Sequence, residues 1–401
     1  MGISSSKYMQ IIENIHEELM TCELSENIGL HAGTSGIALF FAYYSRIILK
    51  KNNISPRVME ILEHNIECID SGKHLHTICD GISGFGWLCE HLRKLGMLTK
   101  RDITFLDDLD PFLYKMMMID IKQGNYDYLH GALGVGIYLL SRLDKKYVFL
   151  YLDDLLTELE KSAIECENGA TKWISVLTHE TGEKGYNISL SHGMSSIAAF
   201  FIRLYRLNYE TNRVKKLLIK TITYILDQIT YVEGNISYFP LFSKENSKSS
   251  FSRLGWCYGD LGIAHVLLQS AIILKNQEWR NIALQILHHN SNRRNLQENR
   301  IWSTGLCHGS SGIAYIYLNL YMYTLDRKFV KTSDFWINVT KNNIKYDCGI
   351  LKFRVLDTDR FEKMRSSYTL LDGISGIGLS FLSHLKNDEN DWSESLLLSL
   401  C

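Results

Sequence analysis

The sequence predicts an all-α fold in which paired helices close into a ring, and three observations carry that reading. Proline is almost absent from the 401 residues, occurring only at Pro56, Pro111 and Pro240, as suits a mostly helical chain. A glycine-bearing phrase recurs seven times along the whole length. Long amphipathic stretches separate its copies. Hydrophobic residues make up 46% of the chain and charged residues 22%, too apolar a balance for intrinsic disorder. A formal net charge of −1 lacks the basic excess of a duplex nucleic-acid binder, so no nucleic-acid partner is expected.

The phrase reads AGTSGIALFF from Ala32, DGISGFGWL from Asp80, HGALGVGIYLL from His130 and HGMSSIAAFF from His192. It returns as YGDLGIAHVLL from Tyr258, HGSSGIAYIYL from His308 and DGISGIGLSFL from Asp372. The leading glycines, Gly33, Gly81, Gly131, Gly193, Gly259, Gly309 and Gly373, are separated by 48, 50, 62, 66, 50 and 64 residues. A second Gly follows three positions later in six copies, and Ser196 takes that place in the fourth. Nineteen of the 28 glycines lie in these phrases or in the three residues before them, so glycine is positional here. Each phrase opens a stretch that is apolar on nearly all sides, the pattern of a buried helix. The intervening segments, such as Lys7–Leu24, Arg57–Asp70, Val148–Cys166, Asn212–Leu226, Asn276–Asn290 and Lys328–Asn343, carry one polar face.

Seven helix pairs stack as an open solenoid or close on themselves. The uneven spacing argues against a regular solenoid, and the first and last copies lack the polar variants that cap an open array. The expected architecture is therefore an α/α toroid of seven inner and seven outer helices, one domain over residues 1–401. Turn-punctuated inserts near 171–189, 229–252 and 348–371 are expected to form hairpins.

In such a ring the residue before each leading Gly faces one rim: Ala32, Asp80, His130, His192, Tyr258, His308 and Asp372. Asp80 and Asp372 read best as helix N-caps. His130 reads as a cap or a supporting residue. Cys257 and Cys307 stand at repeat register in GWCYG and GLCHG, so these thiols and His308 are expected to converge. Two cysteinates and an imidazole make a soft donor set that suits zinc with one position open. The other seven cysteines read as structural thiols at no shared register. Nine cysteines in all, widely spaced and without a CxxC pair, point to a reducing compartment. Gly2 and Ser6 of MGISSS match a myristoylation pattern too short to weigh much. The longest apolar runs fall far short of the ~20 residues of a bilayer span.

With these residues in view the chain resembles the lanthionine synthetase C-like (LanC-like) family, and the resemblance covers essentially all of it. It implies one Zn2+ per chain, held by Cys257, Cys307 and His308. It implies a standalone lanthipeptide cyclase that adds peptide cysteine thiols to dehydroalanine or dehydrobutyrine, closing lanthionine and methyllanthionine thioether rings. His192, in LSHG, matches the family's catalytic histidine, and Asp127, in YDYLHG, its active-site aspartate. Arg253 and Tyr258 match residues beside the first ligand, expected to steady a developing enolate, and Trp256 is expected to contact substrate. The fourth phrase departs from the pattern with Ser196, and so does the third with His130. The implied partners are a dehydrated, leader-bearing precursor peptide, the dehydratase that makes it and, by family analogy, an export transporter complex. The expected location is the cytoplasm, with peripheral membrane association through such a complex. A chain that begins in an outer helix fits a separate cyclase rather than the tail of a fused dehydratase.

Three alternatives compete. A LanC-like glutathione transferase would share fold, zinc and thiol activation while adding glutathione to dehydroamino acids. A non-catalytic peptide-binding toroid would not need the Cys, His and Asp set. A zinc-free glycosidase toroid would need a carboxylate pair at the rim, for which Asp80, Asp127 and Asp372 are the candidates.

Overall fold

In the computed structural model, the residues described are 3–400 except 73, 179–181, 232, 233, 235, 247–250, 302, 348, 349, 357–361, 366 and 387–390. Gly2 of the myristoylation pattern, Cys348 and Cys401 lie outside them. Among the described residues, fourteen α-helices follow one another. They are α1 (Ile3–Thr21), α2 (Thr34–Ile47), α3 (Pro56–Asp70), α4 (Ile82–Lys94), α5 (Leu106–Lys122), α6 (Ala132–Leu139) and α7 (Lys146–Lys161). The second half holds α8 (Met194–Arg206), α9 (Thr211–Asp227), α10 (Asp260–Ile273), α11 (Gln277–Asn290), α12 (Ser310–Thr324), α13 (Arg327–Asn342) and α14 (Ile374–Leu385). Every even-numbered helix starts directly after a leading Gly or one residue later.

The two helix classes differ in burial and in how they begin. In α12 every residue from Ser310 to Leu320 is buried. Its partner α13 buries only Phe329, Thr332, Ser333, Trp336, Ile337 and Thr340, one face at helical spacing. The apolar members of that face, Phe329, Trp336 and Ile337, each contribute about 1.5–3 kcal/mol on burial. Side chains cap the outer-type helices: Ser55 accepts from Val58 N–H, Asn276 from Trp279 N–H and Asp326 from Lys328 N–H. The glycine-led helices use backbone instead. Thr34, Ile82, Ala132, Met194, Ser310 and Ile374 N–H groups donate to the carbonyls of Asn27, Leu75, Asn125, Asn187, Ser303 and Ser367. Each loop therefore folds back seven residues to cap its own helix. That close return explains the glycines. A Cβ on Gly309 or Gly312 would come closer than 3.0 Å to the backbone of Gly305 or Leu306.

These caps also correct the expectation for Asp80 and Asp372. The N-cap positions of α4 and α14 are Gly81 and Gly373, so both aspartates stand one residue outside. Asp80 Oδ1 accepts from Asn27 Nδ2 at 3.1 Å.

The contacts divide the chain into two compact units. The first comprises Met1–Tyr114, Tyr138–Arg142 and Trp302–Trp392. Within it α2 packs against α14 and α4, α1 against α14, and α12 against α13 and α14. Backbone bonds join its phrases at one register: Leu306 and Cys307 N–H to Leu371 O, Leu371 N–H to His31 O, and His31 N–H to Cys79 O. The seventh repeat is thus bonded to both the sixth and the first, a joint that an open solenoid would not have. Asp110 of α5 and Glu90 of α4 are fully buried and share the buried Arg142 guanidinium at 2.9 and 2.7 Å. Removing one partner would leave an uncompensated buried charge, at a cost of about 3–5 kcal/mol.

The second unit comprises Lys115–Ile137, Leu143–Ile301 and Ser393–Cys401. Here α8 packs against α9 and α10, and α10 against α11. The same register recurs, with Leu190 and Ser191 N–H donating to Cys257 O.

The inserts match expectation in part. β1 (Ile164–Glu165) pairs with β2 (Thr171–Lys172), and β3 (Ser175–Thr178) with β4 (Glu183–Gly185). The first hairpin draws residues 162–166 out of the expected helix, because Asn168 and Gly169 (φ +79°) form its turn. The insert near 229–252 shows only a bridge between Pro240 and Phe251 among its described residues. Side-chain bonds hold the described residues of this strap, among them Ser237 hydroxyl to Phe239 O and Ser243 hydroxyl to Gln228, both at 2.9 Å. The last insert starts earlier than expected, with β5 (Ile344–Asp347), β6 (Ile350–Leu356) and β7 (Glu362–Arg365) in one antiparallel sheet.

Candidate active site and metal ligands

In the second unit, the loop before α6 supplies Asp127 and the loop before α8 supplies His192. His192 Nδ1 and Asp127 Oδ2 lie 2.6 Å apart, with side chains 24% and 16% exposed. The other carboxylate oxygen accepts the His130 backbone N–H at 2.8 Å, which fixes the carboxylate plane. Burial alone would lower the His192 pKa. The charge and hydrogen bond of Asp127, with the Cys257 thiol, outweigh it and hold the imidazole above its ordinary value. Burial alone would raise the Asp127 carboxyl, yet His192 and the His130 N–H hold it below its ordinary value. With Nδ1–H given to the carboxylate, the remaining ring nitrogen is the one able to exchange a proton.

Tyr258 stands beside this pair. Its ring centroid is 5.6 Å from that of His192. Asn187 Nδ2 donates to its hydroxyl at 3.5 Å. Burial pushes the phenol up to about 12, so Tyr258 keeps its proton at neutral pH and acts as a donor. Arg253, half-buried at the start of the same loop, has a buried Nε with no hydrogen-bond partner among the described residues. Its charge lowers the Tyr258 pKa. Gly259 adopts φ +101°, a conformation reserved for glycine, and this turns the chain sharply between Tyr258 and α10. Cys257 is buried, 4% exposed.

The first unit supplies Cys307, a partly buried thiol, and His308. His308 Nδ1 faces Asp372 Oδ1 at 3.9 Å. Cys307 and His308 sit immediately ahead of Gly309, as Cys257 and Tyr258 sit ahead of Gly259.

Other expectations change. Trp256 is 1% exposed and its indole N–H donates to Leu396 O at 2.7 Å. It belongs to the core and holds the segment around Leu396 in place. The His130 ring stacks on that of His192, with centroids 6.0 Å apart. Cys79 occupies the register of Cys257 and Cys307, two residues before Gly81, which corrects the statement that the remaining cysteines share none. Two residues escaped the sequence reading: Asn187, and Phe242, whose ring meets Tyr258 edge-on at 5.9 Å. Asn187 had a signal in the repeat, because Asn27 and Asn125 stand at the same distance from their leading glycines. Phe242 lies in an irregular insert and had none.

The class defined by these features is an all-α protein of glycine-led helix pairs carrying a His–Asp pair and cysteine and histidine donors at one repeat register. A family model described as "Lanthionine synthetase C-like protein" matches residues 25–397, and the chain belongs to that family. It is 25% identical over 403 residues to Nisin biosynthesis protein NisC of Lactococcus lactis subsp. lactis, covering 92% of this chain and 88% of that one. It is also 25% identical over 347 residues to Glutathione S-transferase LANCL1 of Danio rerio, covering 78% of each. Among solved structures, nisin cyclase superposes with a TM-score of 0.72 at 20% identity, covering 98% of this chain and 96% of the other. A cellobiose 2-epimerase from Bacillus thermoamylovorans superposes with a TM-score of 0.51 at 12% identity, covering 96% and 100%. The likeness to nisin cyclase establishes the fold class as the expected α/α toroid. No helix among the described residues is long and apolar enough to cross a membrane.

Proposed function

We propose that this chain, as one domain, is a zinc-dependent lanthipeptide cyclase, adding peptide cysteine thiols to dehydroalanine or dehydrobutyrine to form thioether rings. The observation that carries this reading is the His192–Asp127 pair at 2.6 Å, with Ser191 of the His192 loop bonded to Cys257 O, in a chain of the LanC-like family. The donors fit the metal: Cys257 and Cys307 offer thiol sulfurs and His308 an imidazole nitrogen, a soft set suited to zinc. Bound zinc lowers the pKa of a substrate thiol, which is otherwise about 8.5 and mostly protonated at pH 7. The addition is balanced: the S–H bond breaks, sulfur bonds the β-carbon and a proton reaches Cα, with no leaving group. His192 takes the thiol proton and returns it to Cα, steadied by Asp127. Tyr258 and Arg253 donate toward the enolate oxygen as charge builds there. The substrate in this reading is a dehydrated, leader-bearing precursor. A dehydratase precedes the enzyme, an export complex follows it, and the reaction takes place in the cytoplasm.

The test is incubation of the zinc-loaded protein with a dehydrated precursor while free thiols are counted. The expected result is loss of one thiol per ring with no change in peptide mass. One observation favours a second reading: a LANCL1 glutathione S-transferase aligns at the same identity. On that reading the same groups add glutathione to a dehydro residue, and the peptide gains the mass of glutathione. Supplying both nucleophiles in one reaction separates the two.

A further inference from the structure

Four rings stand in a row in the second unit, and the chemistry proposed above uses only the two in the middle. His130 stacks on His192 with centroids 6.0 Å apart and planes 15° apart. His192 meets Tyr258 at 5.6 Å and 34°. Phe242 closes the row edge-on to Tyr258, at 5.9 Å and 84°. The four come from four separate segments: the loops before α6, α8 and α10, and the strap near 229–252. None is fully buried; His130 is exposed, and His192, Tyr258 and Phe242 are half-buried. A row that served packing alone would be covered.

The ends of the row are held as firmly as its centre. The buried Asp260 carboxylate accepts the Tyr238 and Phe239 N–H groups, both at 2.9 Å, and faces Arg293 at 3.3 Å. Ser243, next to Phe242, donates its N–H to Tyr186 O and its hydroxyl to Gln228, both at 2.9 Å. At the other end, the His130 N–H is bonded to Asp127. Such bonding presents the rings in place before a ligand arrives.

We infer that this row is the track on which the peptide lies, with His130 and Phe242 as binding residues for the segment around the reacting position. The inference rests on the cyclase reading and deepens it. A dehydroalanine or dehydrobutyrine residue is planar, because its C=C bond is conjugated with the carbonyl. A flat conjugated group and the apolar residues beside it gain most from ring faces and edges. The ligand class is therefore an extended peptide segment containing unsaturated residues.

The test uses full-length protein and one dehydrated precursor, with its non-dehydrated form as reference. His130→Ala and Phe242→Ala are each expected to raise Kd and KM for the dehydrated peptide about three- to tenfold. The loss falls on KM rather than kcat, and bound zinc stays equal to wild type. Phe242→Tyr and His130→Phe, which keep a ring, are expected to stay within about twofold. The non-dehydrated peptide should bind more weakly to wild type and respond less to either alanine. Unchanged Kd in both alanine variants would overturn the inference, and so would equal losses in the ring-keeping variants. If wild type binds the dehydrated peptide through these residues but closes no ring, the cyclase reading fails while the track stands.

Discussion

The rim residues ahead of the leading glycines make two different surfaces on one backbone plan. In the first unit they are Ala32, Asp80, His308 and Asp372, and in the second His130, His192 and Tyr258. The hydrogen-bond register beneath them is the same in both, as the bonds of Cys307 to Leu371 and of Ser191 to Cys257 show. Yet the first unit presents carboxylates and a histidine, whereas the second presents aromatic rings around the half-buried Asp127 carboxylate. The glycines and returning carbonyls therefore build the scaffold, and in the proposed function the one or two residues just before Gly193, Gly259 and Gly309 carry the chemistry. A repeat protein written this way can change function at seven positions without disturbing its core.

That division can be broken at its most sensitive point by removing the donors. Cys307→Ala and His308→Ala are expected to lose both zinc and ring formation while keeping the helical circular-dichroism spectrum. Metal analysis beside thiol counting checks it, and a Cys307→Ala protein with metal and activity intact would show the ligand assignment to be wrong.

His192→Ala comes next. It should retain its zinc and lose about 10²–10⁴ in kcat, the ordinary worth of a positioned acid–base group. Single-turnover kinetics on metal-replete protein reads this directly.

Asp127→Asn tests the coupling within the pair. The carboxylate is what holds His192 above its ordinary 6.5, so the acidic limb of the pH–rate profile, below which no neutral imidazole is left to take the thiol proton, should move to lower pH. The sign for stability differs between the partners. The Asp127 contribution is present above its ordinary 3.8 and fades as pH falls through its lowered value. The His192 contribution is present below 6.5 and fades as pH rises through its raised value. Wild type should therefore exceed Asp127→Asn in stability between those two limits, and the difference should shrink outside them in denaturant titrations.

The scaffold side of the comparison gives the smallest expected change, through a contrast. Gly312→Ala drives a Cβ into the Leu306 carbonyl and should destabilise by about 1–3 kcal/mol. Ser196, at the equivalent place in the fourth repeat, bonds its hydroxyl to Gly193 O at 2.7 Å, so Ser196→Gly should cost about 1 kcal/mol or less. Thermal melts of the two proteins rank them.

Much of the fold was legible because its signal is periodic. Glycine spacing and one-faced apolar patterns placed the helix pairs. The bond from Leu371 to His31 fits the reasoning that the first and last copies need no caps. The acidic helix α5 was not singled out, since Pro111 interrupts its pattern and Asp110 is buried against the distant Arg142. The bonds that hold the strap near 229–252 were not legible, because Asp260, Gln228 and Tyr224, all distant in sequence, supply them. In the site, His192, Asp127 and Tyr258 stood out through register and motif. Phe242 and the role of Asn187 did not, because a ring contact across 16 residues and a bond across 71 leave no local pattern.

The most direct test of the central claim is the thiol count on a dehydrated precursor treated with zinc-loaded wild type, with His192→Ala in parallel. Wild type is expected to consume one thiol per ring at constant peptide mass, and the variant to consume almost none in the same time. Free thiols left intact by metal-replete wild type, or equal consumption by both proteins, would contradict the account.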